Sequence, residues 1–277
     1  MKSMRAWVPI VSMLVACSSP ENGAESRTAL ALDERAASPN APARPAHAGT
    51  TSQSGWDSAG WRTLLDAYAT SDARFRYRAL RENPAHVALL TELVASIGAA
   101  TPASWSRDEQ LAFYINAYNV LVVRTVIDRW PIESVMRSEG FFDGATYSVA
   151  GLERTLNALE NEVIRGPTFN EPRIHFAVNC ASIGCPPLRG SPYTAAGLDA
   201  QLHEQAEAFV RTTSRIDRGE RRVSVSQLFE WFADDFAPAG GVRAFLVAHL
   251  EGDDRELVRD AAIAISHFEY DWALNSE

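Results

Sequence analysis

Two cysteines and a histidine lie within one short stretch of the chain. Residues 173–187 read RIHFAVNCASIGCPP, so His175 precedes Cys180 by five residues and Cys185 follows it by five. A thiol reacts as its thiolate, and a neighbouring imidazole lowers the thiol pKa. This spacing predicts a cysteine-dependent hydrolase or acyltransferase with Cys180 as nucleophile and His175 as base. Glu160 and Glu162, in the preceding predicted helix, are candidates to orient the imidazole, and Glu160 is the one assigned to the site.

The same residues fit other interpretations. Apart from Cys17, Cys180 and Cys185 are the only cysteines of the chain, and an oxidising compartment permits a disulfide between them. That bond would be structural in a noncatalytic binding protein, whereas in a thiol–disulfide oxidoreductase Cys185 would be the resolving thiol. The C-x4-C spacing differs from the C-x-x-C of thioredoxin-like enzymes. In a purely structural interpretation His175 is a core histidine with satisfied hydrogen bonds.

Metal chemistry has a weaker basis in this stretch. A zinc site would combine His175, Cys180, Cys185 and one carboxylate, but structural zinc sites usually contain a second pair of cysteine or histidine ligands. We therefore predict neither a metal nor a cofactor.

A long apolar segment precedes these residues and is expected to position them. Residues 106–109 (SRDE) form a capping box, and the segment from there to Trp130 is apolar almost all round, which predicts a buried central helix. Asn116 and Asn119 lie one turn apart in this helix and need hydrogen-bond partners. They are expected to hold backbone carbonyls. The alternatives are that they line a pocket or hold the segment from Cys180 to Cys185, which we call the cysteine loop.

The remaining pattern predicts an α+β fold with His175 in a strand. Residues 173–178 alternate, which places Ile174, Phe176 and Val178 on one face and His175 on the other. The order of elements favours one domain over residues 56–277, with a small, mostly antiparallel sheet packed against several helices. Other strands are expected at 146–149, 263–270 and in a hairpin centred on 218–219, and other helices at 56–68, 87–97, 152–165, 195–211, 227–236 and 242–250.

The first residues have the features of a bacterial lipoprotein signal. Lys2 and Arg5 form a basic region, and mostly apolar residues follow up to the sequence LVAC, which resembles a lipobox and ends at Cys17. The sequence predicts a signal peptide over 1–16 and an acylated Cys17 that anchors the protein in a lipid bilayer. Ser18 resembles the residue found in lipoproteins sent to the outer membrane, where this protein would face the periplasm.

Composition limits the other functions. Residues 18–55 contain no aromatic residue, isoleucine or valine, which predicts a disordered, lipidated tether over 17–55. The 277 residues carry a formal net charge of −9, so nothing in the charge balance favours nucleic acid as a partner. No internal apolar run reaches the roughly 20 residues needed to span a bilayer, which excludes a membrane-spanning transporter.

Five separated segments, in order, resemble the DUF547 family. The resemblance covers nearly all of residues 105–275 and implies family membership, but the family is one of unknown function and no catalytic role comes with it. Some members are joined to glutaredoxin-like domains, which favours thiol chemistry. The segments are 113–121 (FYINAYNVL), 130–132 (WPI), 151–152 with 159–160 and Arg165, 175–188 (HFAVNCASIGCPPL) and 270–275 (YDWALN).

Overall fold

The computed structural model describes residues 55–277. The predicted signal peptide over 1–16, the lipidation site Cys17 and the tether up to residue 54 lie outside the described residues. Within them the fold is the predicted α+β type, predominantly helical with small sheets.

Nine α-helices, labelled in chain order, form most of the described part of the chain. They are α1 (Ala59–Tyr68), α2 (Tyr77–Arg81), α3 (Pro84–Ala99), α4 (Arg107–Arg129), α5 (Leu156–Ala158), α6 (Leu198–Thr213), α7 (Leu228–Trp231), α8 (Val242–His249) and α9 (Gly252–Arg259). A π-helical turn, Leu159–Ile164, continues α5, and 3-10 helices occupy Pro102–Ser104, Val135–Arg137, Pro172–Phe176, Ala195–Gly197 and Ala233–Ala239.

Helix α4 is the central helix that the sequence predicted. Its N-terminus is a complete capping box, in which the Ser106 hydroxyl accepts from the Glu109 N–H and the Glu109 carboxylate accepts from the Ser106 N–H. These bonds satisfy N–H groups that the first helical turn leaves without a partner. Both faces of the helix bury side chains, since 15 of its 23 residues are buried. The surrounding helices therefore pack against α4.

The strands form two small sheets. Strands β1 (Tyr147–Val149) and β2 (Leu152–Arg154) make an antiparallel hairpin. In the second sheet β3 (Arg215–Asp217) pairs antiparallel with β4 (Arg222–Ser226), as the predicted hairpin requires. Strand β5 (Ile265–Phe268) then pairs parallel with β4, so that Val223 faces Ile265 across the register. The chain then leaves β5 towards the cysteine loop.

Two hydrophobic cores fill the described domain. The helical core surrounds α4, and the phenylalanine core lies between α6, α8 and the second sheet. Ile174 and Ala177 belong to the helical core, whereas Phe176 belongs to the phenylalanine core, so the chain just before Cys180 runs along the boundary between the two. Members of the phenylalanine core include Phe176, Phe209, Phe229, Phe236 and Phe245.

Three predicted elements differ from the structure. The helix predicted over 227–236 is divided into α7 (Leu228–Trp231) and the 3-10 helix Ala233–Ala239. Residues 173–178 are not a strand: the 3-10 helix Pro172–Phe176 buries Ile174, His175 and Phe176 together, so they do not alternate between two faces. Pro172 has no N–H to donate to a strand ladder and suits the first position of a helix. The helix predicted over 152–165 begins only after β2, because Leu152–Arg154 pairs with β1.

None of the helices within residues 55–277 is long and apolar enough to cross a bilayer.

Candidate active site

The 3-10 helix that carries His175 is fixed at its start by Glu171 and Arg173. The Glu171 carboxylate accepts from the Arg173 N–H at 3.1 Å and binds the guanidinium at 2.8 and 2.7 Å. Arg173 also pairs with Asp199 of α6 at 2.9 Å. Charge-assisted pairs of this geometry hold the short helix against rotation, and they therefore fix the position of His175.

Asn119 of α4 holds the chain between His175 and Cys180. Its Nδ2 donates to the Ala177 carbonyl at 2.9 Å, and its Oδ1 accepts from the Asn179 N–H at 2.8 Å. Asn116, one turn earlier, makes the same pair of bonds to Tyr193, at 2.8 and 3.0 Å. Both side chains are buried and hold backbone groups, as expected from sequence. Asn119 in addition holds the cysteine loop.

The side chain of Asn179 closes the cysteine loop itself. Its Oδ1 accepts from the Ala181 N–H at 2.8 Å, and its Nδ2 donates to the Pro186 carbonyl at 2.7 Å. Inside this closure the Cys185 N–H donates to the Ser182 carbonyl at 3.1 Å. The loop therefore turns back on itself, which brings residue 185 next to residue 180.

The C-terminal segment covers the outside of the loop. The N–H groups of Ile183 and Gly184 donate to the Ala273 and Asp271 carbonyls at 2.9 and 2.8 Å. A Cβ atom on Gly184 would lie 2.9 Å from the Tyr270 ring and 3.0 Å from the Asp271 nitrogen, so only glycine permits this approach. The contact places the Tyr270 side chain against the thiols.

Cys180 and Cys185 are free thiols in direct contact. Their sulfur atoms lie 2.9 Å apart, and the Cys180 N–H donates to the Cys185 sulfur at 2.9 Å. The Cys180 sulfur also lies 2.9 Å from the Ser182 hydroxyl and 3.3 Å from the Tyr270 hydroxyl. Both cysteines are half-buried residues, and the loop that carries them also exposes Ile183.

These contacts separate the acidities of the two thiols. Burial raises the pKa of Cys180, but hydrogen bonds donated by Cys185, Ser182 and Tyr270 to its thiolate outweigh that effect and hold the pKa below its ordinary value. Burial and the neighbouring Cys180 sulfur raise the pKa of Cys185 well above the ordinary value. The pKa of Tyr270 is likewise raised by burial and by the sulfurs, so its hydroxyl remains a donor. Cys180 is therefore the thiol that ionises first.

His175 is held by a different set of residues. Its Nε2 lies 2.7 Å from Asp235, which also binds Arg165 through both carboxylate oxygens at 2.7 and 3.1 Å. Because a carboxylate only accepts, Nε2 carries the proton. The imidazole stacks on Phe232 with ring centroids 4.1 Å apart, and the Arg165 guanidinium lies 4.7 Å from the same ring. We call these four residues the histidine cluster.

Charge in the histidine cluster is concentrated on Asp235 and Arg165. Burial lowers the pKa of His175, against the hydrogen bond from its imidazole to Asp235, which raises it. Burial raises the pKa of Asp235, but hydrogen bonds from His175 and Arg165 hold it well below the ordinary value. The His175 side chain is only 1% exposed, and within residues 55–277 no hydrogen bond joins it to Cys180. The predicted contact between base and nucleophile is thus not made in this structure.

Glu160, the predicted orienting carboxylate, lies in the π-helical turn. It is close enough to raise the pKa of His175, and its carboxylate lies beside the Tyr118 hydroxyl. Asp235 makes the hydrogen bond to the imidazole instead. Asp235 lies three residues after Phe232 and directly before Phe236, so a helix would place its carboxylate among apolar side chains. A carboxylate at such a position needs a partner, and this is the sequence signal that could have identified Asp235.

Two other neighbours of the thiols were not assigned to the site from sequence. Tyr270 belongs to the family segment 270–275, which contains no sequence signal for a contact with the thiols, and Ser182 carries no signal beyond its position two residues after Cys180. Among residues 55–277, no group of three or more His, Cys, Asp or Glu side chains is arranged to hold a metal ion.

Comparison with known proteins confirms the family resemblance and assigns no reaction. Residues 102–210 match the family described as "Protein of unknown function, DUF547". This range includes Asn119, His175 and both cysteines of the loop, whereas Asp235 and Tyr270 lie beyond it. No curated protein and no solved structure matches the chain.

Proposed function

We propose that Cys180 and Cys185 are the reactive dithiol of a thiol–disulfide oxidoreductase. The observation that carries this proposal is the 2.9 Å separation of the two sulfur atoms, one of which is the more acidic thiol. A thiolate attacks a disulfide, and a second thiol within reach resolves the mixed disulfide. The lowered pKa of Cys180 supports its role as the attacking thiol, and the raised pKa of Cys185, whose sulfur lies 2.9 Å away, supports the resolving role.

The reaction balances with these two residues and a disulfide substrate. The Cys180 thiolate attacks one substrate sulfur, the substrate S–S bond breaks, and the departing sulfur takes a proton from solvent. Cys185 then releases its proton to solvent and attacks the Cys180 sulfur, which expels the second substrate thiolate. The substrate disulfide gains two electrons and becomes two thiols, while Cys180 and Cys185 become a disulfide. The reverse sequence oxidises a substrate dithiol.

The test uses full-length protein carrying Cys17→Ser, so that Cys180 and Cys185 are the only thiols. With a peptide disulfide as substrate, Cys185→Ser is expected to accumulate a mixed disulfide on Cys180, detected by intact mass, and to lose turnover. Cys180→Ser, the matched control, is expected to form no adduct. Undiminished disulfide turnover by Cys185→Ser would reject the dithiol mechanism.

A second candidate is the cysteine-dependent hydrolase or acyltransferase. The observation in its favour is that the Ser182 and Tyr270 hydroxyls lie 2.9 and 3.3 Å from the Cys180 sulfur, where they would donate to an oxyanion formed beside it. Acyl transfer needs Cys180 alone. A burst of p-nitrophenol from p-nitrophenyl acetate that persists in Cys185→Ser and disappears in Cys180→Ser would select this reaction over disulfide exchange.

The noncatalytic alternative predicts a permanent structural disulfide. In protein isolated from cell envelopes without reductant, a reactive dithiol labels with iodoacetamide at Cys180 after mild reduction and re-forms its disulfide with a peptide substrate. A structural disulfide stays closed under the same mild reduction and labels only after unfolding. That outcome would assign the protein to binding rather than catalysis.

We also propose that the protein is an envelope lipoprotein, anchored in a lipid bilayer through acylated Cys17 and facing the periplasm. Lys2, Arg5 and the lipobox-like LVAC sequence support this proposal. Mass spectrometry of the mature N-terminus is expected to find a diacylated or triacylated Cys17, and Cys17→Ala to leave the membrane fraction or to stay uncleaved. An unmodified mature N-terminus elsewhere would contradict it.

A further inference from the structure

Three aromatic side chains form a continuous surface beside the thiol pair. The Tyr270 ring lies 5.1 Å from Trp231 and 4.6 Å from Trp272, and the two indoles stack at 5.5 Å with 21° between their planes. We call Trp231, Tyr270 and Trp272 the aromatic platform. The Tyr270 hydroxyl lies 3.3 Å from the Cys180 sulfur, so the platform is in direct contact with the reactive atom.

The Trp231 end of the platform is exposed, whereas Tyr270 and Trp272 are half-buried. Trp231 is 42% exposed, and Ile183, in the cysteine loop, is 44% exposed. Among residues 55–277 the other large hydrophobic side chains with comparable exposure are Met136 and Leu152. Exposed apolar side chains beside a reactive group often mark an interaction site, and here Tyr270 connects Trp231 to the Cys180 sulfur.

The residues next to the platform in sequence are acidic. Glu230, Glu269 and Asp271 are exposed, and no arginine or lysine lies within two positions of a platform residue. Asp271 accepts the Ala273 N–H, whereas Glu230 and Glu269 make no ion pair with any other residue in 55–277. Aromatic faces attract cations, and unpaired carboxylates beside them add to that attraction. Of the guanidiniums on neighbouring rings, Arg165 on Phe232 is paired with Asp235, and Arg215 lies on Phe268. Three exposed carboxylates against these two cations favour a cationic partner over an anionic small-molecule disulfide.

We propose that the aromatic platform binds a cationic polypeptide segment and places its cysteine or disulfide at Cys180. This substrate class rests on the proposed function of Cys180. Arginine or lysine of the segment lies over Trp231 and Trp272, and its sulfur reaches Cys180 alongside Tyr270. A polypeptide suits this surface because it is long enough to reach from the two indoles, across the Tyr270 side chain, to the Cys180 sulfur.

Binding is measured separately from chemistry. The probe is a capped peptide, Gly-Arg-Ser-Phe-Arg-Gly, in which serine replaces cysteine, and its counterpart has glutamate in place of both arginines. Titration of the full-length protein, followed by tryptophan fluorescence and calorimetry, is expected to give at least about tenfold tighter binding of the arginine peptide. Trp231→Ala is expected to weaken that binding about tenfold, and Glu230→Gln by about threefold.

Leu152→Ala is the matched control, since Leu152 is a large exposed hydrophobic residue on β2, outside the platform. It is expected to bind the arginine peptide like the unmodified protein. Equal affinity for the two peptides, or arginine-peptide binding unaffected by Trp231→Ala and Glu230→Gln, would overturn the inference even if disulfide exchange occurs. Selective arginine-peptide binding without any disulfide exchange would instead leave the platform standing and reject the proposed function.

Discussion

Cys180 of the cysteine loop lies only five residues after His175 of the histidine cluster, but the two side chains have opposite electrostatic surroundings. Around Cys180 the partners are neutral donors, Ser182, Tyr270 and Cys185, and the residue is half-buried. Around His175 the partners are already ionised, and the imidazole is buried. The first arrangement favours a new negative charge on the sulfur. The second keeps the imidazole neutral and inaccessible, which suits a structural role.

The difference depends on what turns the chain between these two regions. Asn119 binds the Ala177 carbonyl and the Asn179 N–H, which both lie between the two functional side chains. The variants that follow, in order of decreasing expected effect, either disturb the chain between His175 and Cys180 or measure how the two side chains differ in stability and pKa.

Asn119→Ala is expected to lower the free energy of unfolding by about 3 kcal/mol, because it leaves a buried carbonyl and a buried N–H without partners. Since Asn179 also closes the cysteine loop, we expect the rate of Cys180 alkylation at pH 7 to change as well. Urea denaturation and mass-resolved iodoacetamide labelling measure the two effects.

The matched control is Asn116→Ala, which breaks an equivalent pair of buried bonds to Tyr193. It is expected to cost a similar free energy of unfolding but to leave Cys180 alkylation unchanged. If both variants changed the alkylation rate equally, Asn119 would have no special role in shaping the cysteine loop.

His175→Ala is expected to destabilise the fold by about 2 to 3 kcal/mol, because it removes a partner of Asp235 and the ring that stacks on Phe232. The pH midpoint of Cys180 alkylation is expected to stay within about 0.3 units of the unmodified protein, since the imidazole makes no hydrogen bond to that sulfur. A rise of a full unit, measured by labelling rate against pH, would restore His175 as the base.

The extent to which the sequence predicts this site differs between its parts. The α4 helix, its capping box and the burial of its asparagines follow from local patterns, which act within a few residues. The α+β class follows from the order of the elements. The resemblance to the DUF547 family follows from ordered motifs, and the family model matches residues 102–210.

Contacts between distant segments could not be predicted in the same way. Alternation over 173–178 suggested a strand, but no neighbouring strand pairs there, and Pro172 begins a 3-10 helix instead. Asp235 lies 60 residues after His175 and Tyr270 lies 90 residues after Cys180. Such pairings depend on how the 3-10 helix Ala233–Ala239 and the C-terminal segment pack, and no local pattern contains that information.

Tyr270→Phe removes one donor to the Cys180 thiolate but keeps the ring. A hydrogen bond to a charged group contributes about 1.5 kcal/mol, so the pKa of Cys180 is expected to rise by about one unit. Alkylation at pH 7 should slow accordingly. Tyr68→Phe, whose hydroxyl bonds His86 at 2.7 Å, is the control and should leave the midpoint unchanged. An unshifted midpoint in Tyr270→Phe would show that its hydroxyl does not stabilise the thiolate.

The smallest expected effect is a pH dependence of stability from the histidine cluster. The groups that face His175 are Asp235, Glu160 and Arg165, and burial leaves the pKa of His175 below its ordinary value of 6.5. Between that value and the folded-state pKa, the unfolded chain binds more protons than the folded protein. Stability from this group is therefore complete above about pH 6.5 and is lost as the pH falls, by at most about 1.4 kcal/mol per pH unit.

Comparison with His175→Gln isolates this contribution, because burial also lowers the pKa of His249 and adds to the same slope. Urea denaturation between pH 7.5 and about pH 5 is expected to give a shallower loss of stability in His175→Gln than in the unmodified protein. The Asp235 carboxylate contributes only at lower pH, since its depressed pKa keeps it ionised throughout this window. Equal slopes in the two proteins would mean that folding leaves the pKa of His175 unchanged, and a steeper loss of stability in His175→Gln would mean that the folded protein binds the additional proton.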